Sequence, residues 1–208
     1  MAAGCFISFE GGEGSGKSTQ IKNLADALKE RGISVHVTRE PGGEEQAENI
    51  RTLLVTGDAD RWDCMAETLL FLAARVQHTS RVIKPALESG AWVLSDRSLD
   101  STRVYQGIAK KVGVDTYDQL HALTLGDFRP DLTLLLDIDP QIGLKRSLAR
   151  ANTETRFEKM ALDFHRCVRE GFLQLAAAEP ERIKVIDASL PLEEVKAAIL
   201  REVAEKLK

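Results

Sequence analysis

The chain has 208 residues, a formal net charge of −4, 43% hydrophobic and 29% charged residues, which fits one ordinary globular domain spanning 1–208. That charge speaks against a broad nucleic-acid or anionic-membrane surface, so no nucleic acid and no membrane is expected as a partner and any basic site has to be local. The cysteines Cys5, Cys64 and Cys167 lie far apart with no C-x-x-C, no run reaches membrane-spanning length and the N-terminus lacks a signal-peptide pattern, so the expected location is cytoplasmic, with neither a disulfide framework nor a zinc site.

In chain order, short apolar runs near 5–10, 34–38, 92–96, 132–137 and 183–187 alternate with helical periodicity at about 17–31, 65–89, 140–151, 157–178 and 191–207, a pattern that predicts a parallel α/β sheet covered by helices. In such sheets ligands sit beyond the carboxyl ends of the strands. The first strand runs into Gly11-Gly12-Glu13-Gly14-Ser15-Gly16-Lys17-Ser18-Thr19, which fits G-x-x-x-x-G-K-[ST] between a strand and a helix, the loop whose backbone N–H groups surround nucleotide phosphates. Lys17 is expected on the β and γ phosphates and the Ser18 hydroxyl on Mg²⁺. Residues 11–19 are therefore expected to bind a nucleoside triphosphate. Motors, switches and kinases share this loop.

The second strand ends at Arg39, before Glu40-Pro41-Gly42-Gly43, and the third ends in Asp96-Arg97-Ser98. Two arginines beside a loop already equipped for a triphosphate suggest a second phosphorylated ligand. The plainer reading pairs them with Glu40 and Asp96 as surface ion pairs. Asp96 is the better candidate for water-mediated Mg²⁺ binding, with Asp137 after the fourth strand competing. On the helix from about 65, Phe71 and Arg75 share a face and offer a flat ring and a planar cation to a base, although an aromatic among leucines is more often core. Thr102, Tyr105 and Gln106 follow Arg97 closely. Between Arg146 and Phe157 the polar connection holding Arg150 and Arg156 is either a solvated loop or a lid, at about 146–157, that closes over phosphates.

The ordered set FEGGEGSGKST, TREPGG, LLFLAARVQH, DRSLDSTRVYQG, LGDFRPDLTLLLD and TRFEK resembles bacterial thymidylate kinases from about residue 4 onward. The resemblance implies a P-loop NTPase-type three-layer sandwich with a five-stranded parallel sheet and a short lid, transfer of the γ-phosphate of ATP to dTMP with Mg²⁺, and a homodimer. It also implies that Arg39 and Arg97 hold the acceptor phosphate, Phe71 stacks on thymine and Arg75 hydrogen-bonds the base. Glu13 would face the deoxyribose 3′ hydroxyl, with Thr102 and Gln106 near the base, Tyr105 crowding the 2′ position and Asp96 near the metal. Two departures stand out. Ser98 replaces the ring common after Asp-Arg, and Gly14 stands where one branch of the family places a catalytic arginine. The resemblance is then to the branch that supplies that cation from the lid, where Arg150 matches best and Arg146 and Arg156 are close enough to share the role. The alternatives are a deoxynucleoside kinase of the same architecture and a P-loop switch or ATPase module.

Overall fold

The computed structural model describes residues 4–58, 60–148, 156–157 and 160–207. Five strands form one parallel sheet: β1 (Phe6–Glu10), β2 (Val35–Arg39), β3 (Trp92–Asp96), β4 (Leu132–Asp137) and β5 (Ile183–Asp187). Their order is β2-β3-β1-β4-β5. β1 is central, with Ile7 opposite both Leu94 and Leu132, and all five of its residues are buried. β3 and β4 are nearly as enclosed, which explains their continuous apolar text, whereas the edge strands β2 and β5 are partly exposed and alternate in character.

Helices fill both faces. α1 (Lys17–Glu30) and α9 (Leu192–Ala204) bury Ile21, Leu24, Leu28, Val195, Ile199 and Val203 against Ile7, Phe9 and Leu134 on one side. On the other, α8 (Leu162–Ala178) lays Val168, Phe172 and Leu175 on Leu135 and Ile183. The three-layer sandwich of the sequence reading is the observed architecture.

The remaining helices are α2 (Glu45–Val55), α3 (Cys64–His78), α4 (Lys84–Glu88), the short α5 (Leu99–Thr102), α6 (Val114–Leu125) and α7 (Pro140–Leu148). Sequence periodicity does not reveal α2, since it buries only Ala47 and Leu54; its start is fixed instead by the Glu44 carboxylate, which accepts from the N–H groups of Gln46 and Ala47. The expected single helix over 65–89 is α3 and α4 joined by a π-helical stretch at Thr79–Ile83. A second such stretch, Arg103–Ala109, follows α5. The helix expected from 157 begins at Leu162, because Ala161 is extended (ψ 152°).

β1 and β3 run side by side, yet the chain leaves β1 through α1 toward β2 and leaves β3 in the direction of β4. A crevice therefore opens at the carboxyl ends of these two strands. Below it lies Glu10, fully buried, whose carboxylate accepts from the Ser98 N–H (2.7 Å) and is bonded to Ser101 Oγ (2.5 Å). Burial first, then the nearby Asp100 charge, pushes the Glu10 carboxyl from 4.5 up to about 8. Because the folded state holds this proton more tightly, the associated stability is complete below about pH 4.5 and is lost as pH rises through about 8. Glu10→Gln keeps the neutral form at every pH. Thermal melts from pH 5 to 8.5 are expected to show wild type falling behind Glu10→Gln as pH rises, by on the order of 2–4 kcal/mol at the upper end; parallel curves would mean that Glu10 is ionised throughout.

Candidate active site

The crevice is walled by the residues that follow three strands and by helices that stand beside them. Glu13, Ser15, Lys17 and Ser18 of the phosphate loop, Arg39 after β2, Asp96 and Arg97 after β3, and Phe71, Thr102, Tyr105 and Gln106 from the helices line one cavity of about 330 Å³. Lys17 is buried and curls back so that Nζ donates to the carbonyls of Gly11 (3.2 Å) and Gly12 (3.1 Å). Burial, then the Arg97 cation, lowers its affinity for a proton. An ammonium group in that position gains from an anion brought against it.

Arg97 has a left-handed backbone, φ 72°, uncommon for a residue with a side chain. The turn aims its guanidinium back across the loop, where Nη1 donates to the Gly11 carbonyl (3.1 Å) and to Ser101 Oγ (3.0 Å), and Nη2 donates to Glu13 (2.8 Å). The cation also lies 5.1 Å from the centre of the Tyr105 ring. Burial would raise the Glu13 carboxyl, but Arg97 and Lys17 outweigh it and hold the group below the usual carboxylate range. Arg39 makes a two-pronged contact with Glu48 (3.1 and 2.9 Å) and remains about half exposed. So the arginines do make ion pairs, Arg97 with Glu13 and Arg39 with Glu48, and Arg39, Arg97 and Glu13 line the cavity.

Ser18 Oγ donates to Asp96 Oδ2 at 3.1 Å. A hydroxyl and a carboxylate side by side, next to a phosphate loop, are the hard oxygen donors Mg²⁺ prefers. Asp137 takes no part in this, because Arg169 on α8 grips both of its oxygens (2.7 and 2.8 Å). Thr19 lies exposed on α1 and Gly16 completes the loop at its N-cap. Gly11 and Gly12 form the floor of a smaller cavity behind the loop, with Leu135, Phe172 and His165.

The aromatic wall is Phe71 and Tyr105, with Phe157 between them at ring separations of 6.4 and 5.8 Å. Arg75 stands behind it, buried, donating to Glu40 (2.6 Å), Tyr117 (2.7 Å), the Ser98 carbonyl (3.1 Å) and Thr102 (2.9 Å). These contacts account for four of its five guanidinium hydrogens. Arg75 holds Thr102 at the cavity while not lining it itself.

Of the lid arginines, Arg150 lies outside the described residues. Arg146 is exposed and donates to the Ala188 carbonyl (3.2 Å). Arg156 is buried, pairs with Glu67 and donates to the carbonyls of Leu54 and Asp58. Neither Arg146 nor Arg156 is among the described residues that line the cavity. Their side chains are committed elsewhere, which sequence spacing cannot show.

A thymidylate kinase family model matches residues 9–199. The chain belongs to the thymidylate kinase family. It is 53% identical to a thymidylate kinase of Magnetococcus marinus over 96% of this chain and 95% of that one, and 51% identical to one of Caulobacter vibrioides over 100% and 99%. A crystal structure of thymidylate kinase from Ehrlichia chaffeensis superposes with a TM-score of 0.78 at 33% identity, covering 96% of this chain and 98% of that one. The activity is that of the family: an ATP:dTMP phosphotransferase of nucleotide biosynthesis.

Three features of this kinase escape sequence reasoning. Arg51 on α2 adds a cation to the cavity and donates to the Pro41 carbonyl (2.7 Å), placed there only by the packing of α2. Phe157 completes the aromatic wall. Gly143 on α7 faces Gly14: a Cβ on Gly14 would collide with the Gly143 carbonyl oxygen, and a Cβ on Gly143 with the carbonyl of Glu13. Gly14 also has φ +67°, where a side chain strains the backbone. Placing an arginine here, as one branch of the family is expected to do, therefore cannot simply add a catalytic cation. Gly14→Arg is expected to reduce kcat/KM for both nucleotides by more than about tenfold and to lower Tm, since left-handed strain alone costs roughly 1–3 kcal/mol. Steady-state kinetics with a thermal melt checks this, and an undiminished rate would show that α7 yields.

Proposed function

We propose that this crevice carries out the ATP:dTMP transfer with the phosphate loop and Lys17 on the donor and Arg39 and Arg97 on the acceptor phosphate. The observation that carries the assignment is the gathering of Arg39, Arg51 and Arg97 in the same cavity as Lys17. One triphosphate is largely served by the loop and its lysine, so the further cations call for a second phosphorylated ligand. A deoxynucleoside kinase would leave them without a phosphate to bind, and a switch protein would have no use for the aromatic wall beside them.

On this reading Phe71 stacks on thymine, Thr102 and Gln106 meet the edge of the base, Tyr105 fills the space at the 2′ position and Glu13 faces the 3′ hydroxyl. Ser18 and Asp96 would hold Mg²⁺, in part through water, and the ion would supply positive charge at the β and γ phosphates. An oxygen of the dTMP phosphate forms a bond to the γ-phosphorus while the bond from that phosphorus to the β,γ-bridging oxygen breaks, giving dTDP and ADP. That oxygen carries no proton at neutral pH, so no general base is required. The chain contributes position and charge: Lys17 and Arg97 bring two anions into line, and the walls exclude water. The remaining cation is assigned to the lid at 146–157. Because Arg146 and Arg156 are engaged at Ala188 and Glu67, Arg150 is the first choice for it.

The reading includes a homodimer in the cytoplasm. Among the described residues no helix is long and apolar enough to cross a membrane. The exposed apolar side chains Leu53, Met65, Leu69 and Leu123 on α2, α3 and α6 support a paired face.

A panel of thymidine and nucleoside monophosphates with ATP and Mg²⁺ tests the assignment together with two variants. Arg97→Ala is expected to raise KM for dTMP at least about tenfold while KM for ATP changes little, as loss of a charged hydrogen bond to the acceptor requires; equal effects on both would remove Arg97 from the acceptor site. Arg150→Ala is expected to lower kcat by at least about a hundredfold with KM for dTMP nearly unchanged, the mark of a contact made chiefly in the transition state. Intact kcat would remove Arg150 from the reaction.

A further inference from the structure

Glu67 on α3 is fully buried, and no step so far uses it. Its Oε1 accepts from Gln106 Nε2 (2.8 Å) and from Lys110 Nζ (2.7 Å), while Oε2 pairs with Arg156 Nη1 (2.5 Å). Burying a carboxylate is costly, and ordinary packing would be served as well by an apolar residue. The consequence of its presence lies in Gln106. An amide has a donor end and an acceptor end of almost the same shape, and a carboxylate beside two cations can only accept. Gln106 must therefore turn its NH₂ toward Glu67. Its Oε1 is left for the cavity, which Gln106 lines.

We propose that Glu67 is a positioning residue for base selection: by fixing the polarity of the Gln106 amide it presents an acceptor to the ring nitrogen N3 of the bound pyrimidine. Thymine carries N3–H, a donor, and is accepted. Cytosine has a lone pair at N3, so it sets acceptor against acceptor and is rejected. The inference rests on the proposed placement of the base beside Phe71 and Gln106. Arg156 on the same carboxylate stands next to Phe157 of the aromatic wall, with its guanidinium 5.2 Å from that ring. One buried charge thus secures both the polar edge and the flat face of the base site.

The probe is 5-methyl-dCMP, which keeps the thymine methyl and differs from dTMP in the groups at N3 and C4. The quantity read is the ratio of kcat/KM for dTMP to that for 5-methyl-dCMP, which does not depend on the fraction of enzyme correctly folded. A glutamine at 67 can either donate or accept, so Glu67→Gln frees the Gln106 amide to turn over. The ratio is expected to fall at least about tenfold, because a site's polar groups set the discrimination between hydrogen-bonding substrates. Glu67→Gln combined with Lys110→Met removes one charge of each sign and guards against loss of the fold; the same fall is expected. In a Gln106→Met background, which itself lowers the ratio, Glu67→Gln should add nothing further.

If Gln106→Met lowers the ratio but both Glu67 variants keep the wild-type value, Glu67 is only an anchor for Arg156 and Lys110 and the inference is overturned while the base site stands. If Gln106→Met changes neither the ratio nor KM for dTMP, the base placement itself fails and the inference with it. Should neither Glu67 variant fold, wild type with N3-methylated dTMP decides: turnover equal to dTMP shows that no acceptor faces N3 and overturns the inference, whereas a loss of at least about tenfold supports it.

Discussion

Arg97 is the cation that ties the walls of the cavity to one another. Its guanidinium touches the phosphate loop at Gly11 and Glu13, α5 at Ser101 and the face of Tyr105, so the loop, α5 and the aromatic wall share one group. It reaches them because the backbone turns through φ 72° immediately after β3. That turn costs free energy, offset by what surrounds it: the Ser98 N–H and Ser101 hydroxyl are tied to the buried Glu10 at the end of the neighbouring strand. A carboxyl group with a raised affinity for its proton, below a strained turn carrying a permanent cation, is the kind of local conflict that accumulates where a protein must do chemistry.

Phosphoryl transfer between two anions leaves little for side chains to do covalently, and the layout reflects this. Lys17, Arg39, Arg51 and Arg97 concentrate positive charge in a protein whose formal net charge is −4. They do so beyond the ends of parallel strands, where the loop also offers backbone N–H groups. Carboxylates accompany the cations: Glu13 pairs with Arg97 and Glu48 with Arg39. Such pairing limits mutual repulsion among the arginines and fixes each guanidinium in a defined plane. Asp96, by contrast, is kept for Ser18.

The aromatic wall obeys a different rule. Arg75 and Glu67 are charges taken out of water, and each is surrounded by several hydrogen-bonding groups. Removing one member of such a cluster exposes the rest to the full cost of burial. What the clusters give in return is orientation, Thr102 through Arg75 and Gln106 through Glu67. Elsewhere the same need for fixed geometry is met without charge, by Gly14 and Gly143 meeting backbone to backbone so that α7 lies directly against the phosphate loop.

The sequence by itself determined the five strands to within a residue and the place of the phosphate loop between β1 and α1. Buried central strands must be apolar throughout, and glycines before a lysine have few other uses. It also brought Ser18, Asp96, Arg39, Arg97, Phe71, Tyr105 and Gln106 to one cavity, because strand ends in a parallel sheet converge. Only the tertiary structure decided the partners. Arg97 meets Glu13 from 84 positions away, Arg39 meets Glu48, Asp137 is taken by Arg169, and Arg156 turns inward to Glu67. Nor could periodicity announce α2 with Arg51, the extended Ala161 that delays α8, or the contact that obliges both Gly14 and Gly143 to lack a side chain. Local chemistry is written in consecutive residues, whereas the direction a charged side chain takes depends on which opposite charge the packing of distant elements brings within reach.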